Sequence, residues 1–374
     1  MKTCNLAGRL SGISRATFTR CIAVSAISAL ACPAPAQVPL VPPSSGLINP
    51  SAIAFSPSTG KVYAVDTAHN AVTIYNHASG KTLSVPVGSA PVSIPVNTAS
   101  GKAYVANGGD GTVSVLNPAT DAVVATIRIG SHPYSIEANS VTGKVYATHT
   151  YGGQTSVIDG ATNAVAEIKT GSNDLIAIND ATNTIYLLGY EGGTVLALDG
   201  ASQTFRKRES GMHAWGMALN QQTGTLYVAK VGDANVASLN DSSPSAAYLP
   251  AGAIPCSIAV NSLTNTLYVA NYGDASVSAI DAGSGHSLAT VRVGQHPKAV
   301  AFDPKSNLVF SANTSDNTVT VIDARTYAVL ATLPAGKSPY ALAVVPGANT
   351  LYVANEASNS STAVDLSAIA QPKP

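Results

Sequence analysis

Hydrophobic positions in this chain fall into short runs that are separated by clusters of Gly, Asn, Asp, Ser and Thr. One stretch holds four such runs in succession, at 257–261, 266–271, 276–281 and 287–293. The first three runs are rich in Val, Ile, Leu and Ala, as expected for strands that are covered on both faces. The pattern therefore predicts a small four-stranded sheet packed between two neighbours.

The same unit recurs along the chain. Tyr-Val-Ala-Asn occurs at 104–107, 268–271 and 352–355, and an aromatic residue marks each copy at intervals of 40 to 42 residues. A period of this length with short strands is typical of β-propeller blades. We predict an all-β fold, a single β-propeller of eight four-stranded blades, with seven blades as the alternative. The aromatic markers are Tyr63, Tyr104, Tyr146, Tyr186, Tyr227, Tyr268, Phe310 and Tyr352.

Two turn positions also recur in every copy. The first hairpin of each copy ends in Gly or Asn, which tolerate positive φ, so one left-handed turn is predicted throughout. Each third strand is followed by Asn or Asp, whose side chain can accept a hydrogen bond from the backbone two residues on. The hairpin residues are Gly60, Gly101, Gly143, Asn183, Gly224, Asn265, Asn307 and Asn349, and the second set is Asn76, Asn117, Asp159, Asp199, Asn240, Asp281, Asp323 and Asp365.

The last copy lacks a fourth strand, because it stops after 362–366. Residues 38–41 lie ahead of the first copy and can supply the missing strand, which would close the ring. Proline is tolerated at such an edge. We expect four segments: a leader at 1–36, an N-terminal closing strand at 37–47, the propeller at 48–366 and a C-terminal tail at 367–374.

The first 36 residues resemble a secretory signal peptide. They carry four basic residues and no acid, then an apolar run at 21–31 and Ala34-Pro35-Ala36. The apolar run is too short for a membrane span. We expect cleavage before Gln37 and an exported protein, whether periplasmic, on the cell surface or extracellular, with no transmembrane span. Only Cys256 remains after the leader, so no internal disulfide can form.

Charge argues against nucleic acid as a partner. Loss of the leader leaves sixteen basic residues against twenty acidic ones, a net charge of about −4. Nucleic-acid affinity depends on clustered Lys and Arg. The one cluster, Arg206-Lys207-Arg208, is predicted on an exposed outer strand, where charge discourages edge-to-edge pairing.

The repeated aromatic-Val-Ala-Asn units, with Gly-x-x-Pro and Val-Ile-Asp companions, resemble the YVTN-repeat β-propeller family. That family includes YncE-like envelope proteins and surface-layer proteins. The resemblance spans nearly all of the chain after the leader and implies the fold. It implies little about function, since the motif consists of turn and core residues. A fainter similarity extends to seven-bladed lactonases and to eight-bladed haem d1 propellers.

Histidines cluster on one predicted face, the face that carries the loops into each first strand and from each second to each third strand. His132, His213 and His296 precede first strands, and His69 and His149 fall in the second kind of loop. They suggest a pocket for a metal or planar cofactor, or else are ordinary polar loop residues. Alternate blades lie too far apart for a single ion, which needs nitrogens at about 2.0 to 2.1 Å. His132 with His149 is the remaining pair.

The entrance of each first strand carries residues that differ between copies. Tyr134, Trp215, Cys256, Lys298 and Tyr340 stand there, and Asp174 breaks the pattern in copy four. Aromatic side chains at a channel mouth suit contact with peptide or carbohydrate, or they pack between blades. The ligand-binding candidates are therefore His132, His149, His213, His296, Trp215, Tyr134, Tyr340 and Asp174.

Motifs for catalysis are missing from the sequence. It contains no Gly-x-Ser-x-Gly elbow, no Cys-x-x-Cys-His haem attachment, no phosphate-binding glycine loop and no zinc spacing. Asp110, Asp233, Asp274 and Asp316 recur six residues after the marker and are predicted to be turn residues. We expect a monomeric, non-catalytic binding protein without cofactor, whose partner is a protein, peptide or glycan. The alternative is a lactonase-type hydrolase or a metal- or haem-binding propeller.

Overall fold

The computed structural model describes residues 37–38, 53–130, 132–189, 193–211, 213–240, 243, 245–346, 348–367 and 369. Of residues 37–38 it describes the backbone only. The predicted leader, residues 39–47 of the predicted closing strand, and residues 368 and 370–374 of the predicted tail lie outside the described residues.

The described residues form thirty-two strands in eight antiparallel four-stranded sheets, which are the blades of an eight-bladed propeller. The predicted fold is therefore confirmed, and the seven-bladed alternative is wrong. The strands of blades one to four are β2 (Ile53–Ser56), β3 (Lys61–Asp66), β4 (Ala71–Asn76), β5 (Thr82–Pro86); β6 (Pro91–Ser93), β7 (Ala103–Asn107), β8 (Thr112–Asn117), β9 (Ala122–Arg128); β10 (Pro133–Ala138), β11 (Lys144–His149), β12 (Gln154–Asp159), β13 (Val165–Lys169); β14 (Leu175–Asn179), β15 (Thr184–Leu188), β16 (Thr194–Asp199) and β17 (Phe205–Glu209).

Blades five to eight follow the same order, and blade eight takes its fourth strand from the other end of the chain. Their strands are β18 (Ala214–Asn220), β19 (Thr225–Lys230), β20 (Asn235–Leu239), β21 (Ala247–Pro250); β22 (Pro255–Asn261), β23 (Thr266–Asn271), β24 (Ser276–Asp281), β25 (Ser287–Arg292); β26 (Pro297–Asp303), β27 (Leu308–Asn313), β28 (Thr318–Asp323), β29 (Val329–Pro334); β30 (Pro339–Val344), β31 (Thr350–Asn355), β32 (Ser360–Asp365) and β1 (Gln37–Val38).

The ring closes where the N-terminal strand joins the last blade. β1 runs antiparallel to β32, with Gln37 opposite Thr362 and Val38 opposite Ser361. A hydrophobic cluster spans the same junction, from Ile53 of blade one to Tyr352 of blade eight. Closure by the N-terminal segment is confirmed at these two residues.

Across the blades, burial is greatest in the second strands and least in the outer fourth strands. The first strands of neighbouring blades contact one another, so they are innermost. Second strands such as β23 and β27 are buried along their whole length, while the fourth strand β17 is mostly exposed. Arg206-Lys207-Arg208 lies on β17, the outer strand on which it was predicted. Within the described part of the chain, no helix is long and apolar enough to cross a membrane.

The marker tyrosines tie adjacent blades together. Tyr268 of blade six donates its hydroxyl to the carbonyl of Ala324 in blade seven at 3.3 Å. Tyr352 of blade eight shares a 2.9 Å hydrogen bond with Nδ1 of His77 in blade one. In these two copies the motif aromatic is thus both a core residue and an inter-blade connection, and the last copy makes this connection across the closing junction.

The predicted turns are mostly confirmed. Seven of the eight first hairpins end at φ values between 52° and 72°, while in the eighth the Ala348 N–H donates to the Val345 carbonyl instead. Six of the eight residues after the third strands accept the predicted hydrogen bond from the N–H two residues on. These six are Asn117, Asp159, Asp199, Asp281, Asp323 and Asp365.

Candidate functional site

The beginning of each first strand and the end of each second strand lie side by side on one face, here called the loop face. The pairing places Pro255 opposite Asn271, and Pro297 opposite Asn313. The loops between blades and the loops between second and third strands therefore converge there. The candidate residues of the sequence fall on this face.

The motif asparagine has a structural role on the loop face. Asn271 donates its side-chain amide to the Ser276 and Ser278 hydroxyls, both at 2.9 Å, and accepts from the Gly252 N–H at 3.1 Å. Equivalent bonds to third-strand hydroxyls recur at Asn107, Asn313 and Asn355. The asparagine thus fastens the end of the second strand to the third strand.

His149 stands at the motif-asparagine position of blade three, which corrects its predicted location in a loop. It is the last residue of β11 and is 1% exposed. Its Nε2 shares a 2.8 Å hydrogen bond with Ser156, seven residues on, as Asn271 does with Ser278. His132 instead lies exposed with its ring edge-on to Tyr151 at 5.8 Å. The two rings of the predicted pair have different neighbours.

His132, His213 and His296 share an unusual backbone conformation. Their φ values are 54°, 61° and 51°, in the left-handed region that most side chains avoid. Histidine is enriched in this region, so the backbone gives a reason for its recurrence. Ala90, Ile254 and Ser338 occupy the same position in other blades, with φ between 47° and 54°. The recurrence of histidine here does not by itself indicate a ligand.

Two residues after this position, most blades carry the extra residue of a β-bulge. In blade five Ala214 pairs with Lys230 and Gly216 with Ala229, so Trp215 has no partner in the pairing. Cys256, Lys298 and Tyr340 occupy the same place in blades six to eight, and Tyr134 lies in the shift of blade three. Bulges re-aim side chains and are common beside functional sites.

Blade four departs from this pattern. Leu175 pairs regularly with Leu188, and the preceding Asp174 donates its backbone N–H to the Leu188 carbonyl at 3.0 Å. Asp174 is partly buried and follows the buried Asn173, which occupies the place of the histidines. Asp174 therefore lies on the loop face but on a first strand without the bulge.

Three aromatic rings form a row across blades five to seven. Trp215 lies 5.9 Å from Tyr272, whose ring stacks on His296 at 4.5 Å and 28°. His296 Nδ1 also shares a 2.7 Å hydrogen bond with the Ser315 hydroxyl. All three rings are partly exposed. Tyr272 was missed by the sequence analysis, although it directly follows a motif asparagine.

Several buried or partly buried polar side chains, those of Cys256, Lys298 and Tyr340, lie next to this row. The Cys256 thiol donates to the Pro297 carbonyl at 3.2 Å, and burial raises the pKa of Cys256 to about 12, which suppresses the thiolate. Burial lowers the pKa of Lys298, while Glu356 at 3.4 Å partly offsets this effect. Burial raises the pKa of Tyr340 as well. Lys298 with Glu356 thus forms an ion pair between blades seven and eight.

A cavity of about 200 Å³ lies between blades two and three on the loop face. Arg128 and His132 line it together with three glycines and Asp110. The two carboxylate oxygens of Asp110 accept from the Ser89 N–H at 2.8 Å and from the Thr112 hydroxyl at 2.6 Å. Asp110 is therefore held in a turn, as predicted. Arg128 was missed by the sequence analysis.

Glu137 is the other residue that the sequence analysis missed. It lies on the innermost strand of blade three, opposite the marker Tyr146. Burial raises the pKa of Glu137 to about 7, and the Asp180 charge adds to this shift. Six other blades place alanine opposite their marker aromatic: Ala54, Ala177, Ala218, Ala259, Ala301 and Ala343.

Comparison with known proteins shows the fold and no family. No protein-family model and no curated protein matches the sequence. Among solved structures, hydrazine synthase from Kuenenia stuttgartiensis is similar with a TM-score of 0.59 at 17% identity, over 87% of this chain and 97% of that chain. Sqt1 from Saccharomyces cerevisiae is similar with a TM-score of 0.70 at 12% identity, over 85% of this chain and 96% of that chain. At such identities the likeness shows the β-propeller fold alone.

Proposed function

We propose that this protein is an exported, non-catalytic binding protein that presents its loop face to a protein, peptide or glycan partner. The observation that supports this proposal is that each blade combines repeated core and turn residues with a bulge residue that varies between blades. Core and turn positions repeat, whereas the bulge residue changes between Tyr134, Trp215, Lys298 and Tyr340. A repeated frame with non-repeated side chains on one face suits the recognition of a single irregular ligand.

The aromatic row supplies the apolar part of this surface. Trp and Tyr side chains are enriched where binding energy is concentrated, because they bury a large area and keep a polar atom available. Trp215, Tyr272 and His296 extend over three blades, and Lys298 with Glu356 lies beside them. We expect a partner to contact the rings and to be oriented by the polar groups around them.

The chemistry of the bulge residues favours binding over catalysis. Cys256 would be the nucleophile of this region, yet its thiol is buried and its pKa is raised to about 12. In the described part of the chain, no three His, Cys, Asp or Glu side chains are grouped so that they could hold a metal ion.

Binding of the purified protein to arrays of glycans and of peptides tests the proposal. Trp215→Ala with Tyr272→Ala should reduce the affinity for any selected ligand by at least about tenfold, the effect of removing a central aromatic contact. Phe205→Ala is the matched control, because Phe205 is 41% exposed on the outer strand β17. Equal affinity of the unmodified protein, the Trp215→Ala/Tyr272→Ala variant and the Phe205→Ala control would contradict a role for the loop face.

Export rests on the leader and has its own test. Mass spectrometry of the protein from fractionated cells should find a chain that begins at Gln37, outside the cytoplasm. An intact N-terminus in the cytoplasmic fraction would contradict export while leaving the binding proposal open to its own measurement.

A further inference from the structure

The sequence Arg-x-Gly-x-His-Pro occurs twice, at 128–133 and at 292–297. Each copy forms the connection between two blades: the arginine ends a fourth strand and the proline begins the next first strand. The first connection joins blades two and three, and the second joins blades six and seven. In a ring of eight blades the two connections lie on opposite sides.

The two connections share the conformation of their histidine but differ at their glycine, since Gly130 has a φ of 95° and Gly294 has no positive φ. His132 and His296 have φ values of 54° and 51°. Asp110 accepts a hydrogen bond from the Ser89 N–H, and Asp274 accepts one from the Ala253 N–H. The surrounding sequences are also parallel, with Asn107-Gly108-Gly109-Asp110 in blade two and Asn271-Tyr272-Gly273-Asp274 in blade six. The connections therefore share a sequence motif and a histidine conformation, and they differ in the backbone at the glycine and in the surrounding side chains.

One of these side-chain differences lies at the residue after the motif asparagine. In blade six the Tyr272 ring stacks on His296 at 4.5 Å. Blade two has Gly108 there, the ring next to His132 is that of Tyr151, edge-on at 5.8 Å, and the cavity of about 200 Å³ lies beside His132. One histidine thus lies beside an open cavity, whereas the other is covered by a stacked ring.

The open cavity carries a cation without a protein counter-ion. Arg128 is exposed, and within the described residues no carboxylate lies within ion-pair distance of its guanidinium. The Asp110 carboxylate that shares the cavity already accepts two hydrogen bonds. The imidazole of His132 adds a further donor at the rim. Guanidinium and imidazole donors around one small space suit a planar anion, since arginine binds carboxylate in a bidentate manner.

The volume limits what can enter. Pockets for whole cofactors or drug-sized ligands measure about 300 to 1,000 Å³. A cavity of about 200 Å³ instead has room for one carboxylate and a few attached carbons. We propose that the cavity between blades two and three binds a carboxylate group of the ligand, with Arg128 as its bidentate partner and His132 as a second donor. This inference rests on the proposed function and specifies the chemistry of the partner.

Ligand-detected NMR with small carboxylates tests the assignment. The probes are acetate, N-acetyl-L-glutamate α-amide for an acidic peptide side chain and D-glucuronate for an acidic glycan, with inorganic phosphate for comparison. We expect saturable binding of the carboxylates. Of the glutamate and glucuronate probes, the one that resembles the natural partner should have the higher affinity. No saturable binding, or binding of phosphate alone, would overturn the proposal.

Variants locate the binding. Arg128→Gln should weaken the carboxylate affinity by at least about tenfold, the effect of one charge-assisted bidentate pair, and Arg128→Lys should restore only part of it. Arg292→Gln at the covered connection is the matched control and should bind as the unchanged protein does. An equal loss in both glutamine variants would show a general charge effect and overturn the site. The small probes do not need the aromatic row, so Trp215→Ala separates failure of this site from failure of the proposed function.

Discussion

The connections between blades two and three and between blades six and seven are built alike but present different surfaces. Both carry an arginine at the end of a fourth strand and a histidine at positive φ. One leaves a cavity beside His132, while the other covers His296 with the Tyr272 ring. The repeat therefore supplies a common frame, and the glycine conformation and side chains of each connection determine which surface it presents.

The largest expected effect concerns the frame that the two connections share. Asn107→Ala and Asn271→Ala should each lower the free energy of unfolding by about 2–4 kcal/mol, because buried hydroxyls lose their donor. Asn271→Ala should cost about 1 kcal/mol more, since Asn271 also accepts from the Gly252 N–H. Urea unfolding measures both values.

His149→Asn is the control for this interpretation of the motif. Asparagine there restores the residue that other blades carry, so the free energy of unfolding should change by less than about 1 kcal/mol. A loss as large as that of Asn107→Ala would mean that His149 has a role other than that of the motif asparagine.

Removal of the covering ring sharpens the comparison. Tyr272→Gly should cost about 2 kcal/mol of stability through lost packing and ring stacking. It should also open the second connection, so that Arg292 begins to respond to carboxylates. If the folded variant binds no additional carboxylate, the covering ring is not what distinguishes the two connections.

The first strands that follow the two connections differ at the position opposite the marker aromatic, where blade three has Glu137 and blade seven has Ala301. Because the pKa of Glu137 is raised to about 7, the folded state holds its proton in a range where the unfolded chain has lost it. Stability contributed by this proton therefore falls as the pH rises from about 4.5 to about 7.

Glu137→Ala changes the free energy of unfolding at each pH. We expect this change to be more favourable at pH 8 than at pH 4 by about 1–3 kcal/mol. Unfolding in urea at the two pH values gives the difference, and Glu137→Gln serves as the control of similar size. A gain that is the same at both pH values would mean that the charge of Glu137 is not its cause.

The smallest expected effects concern the histidines themselves. His296→Asn should lower stability by about 0.5–1.5 kcal/mol, because it removes the ring that stacks on Tyr272. His132→Asn should change stability by less than about 0.5 kcal/mol, since asparagine also accepts positive φ and the ring is exposed. Thermal unfolding of the two variants should rank them in this order, and a reversed ranking would contradict it.

Much of the frame could be predicted from the sequence, because repetition multiplies weak signals. Eight aromatic markers gave the blade number, and the missing last strand gave the closure at Gln37 and Val38. The role of His149 was also accessible, since Tyr146-Ala-Thr-His149 aligns with Tyr104-Val-Ala-Asn107. His149 was interpreted as a candidate ligand because it is a histidine, and its alignment with the motif asparagine was overlooked.

The candidate site was only partly predictable, because it depends on three-dimensional detail within the repeat. The positive φ of His132 and the bulge at Trp215 leave no strong mark in one sequence. The opening beside Arg128 is lined by Gly109, Gly111 and Gly130, residues that leave space because they have no side chain. The two Arg-x-Gly-x-His-Pro segments are visible in the sequence and could have indicated that these two connections should be compared.

One spectrum compares the two connections most directly. Arginine Nε–Hε resonances of the unmodified protein can be followed during titration with N-acetyl-L-glutamate α-amide or D-glucuronate. We predict a saturable shift of the Arg128 resonance while the Arg292 resonance stays in place. Parallel shifts of both resonances, or no shift of Arg128, would contradict the conclusion that these two connections are functionally different.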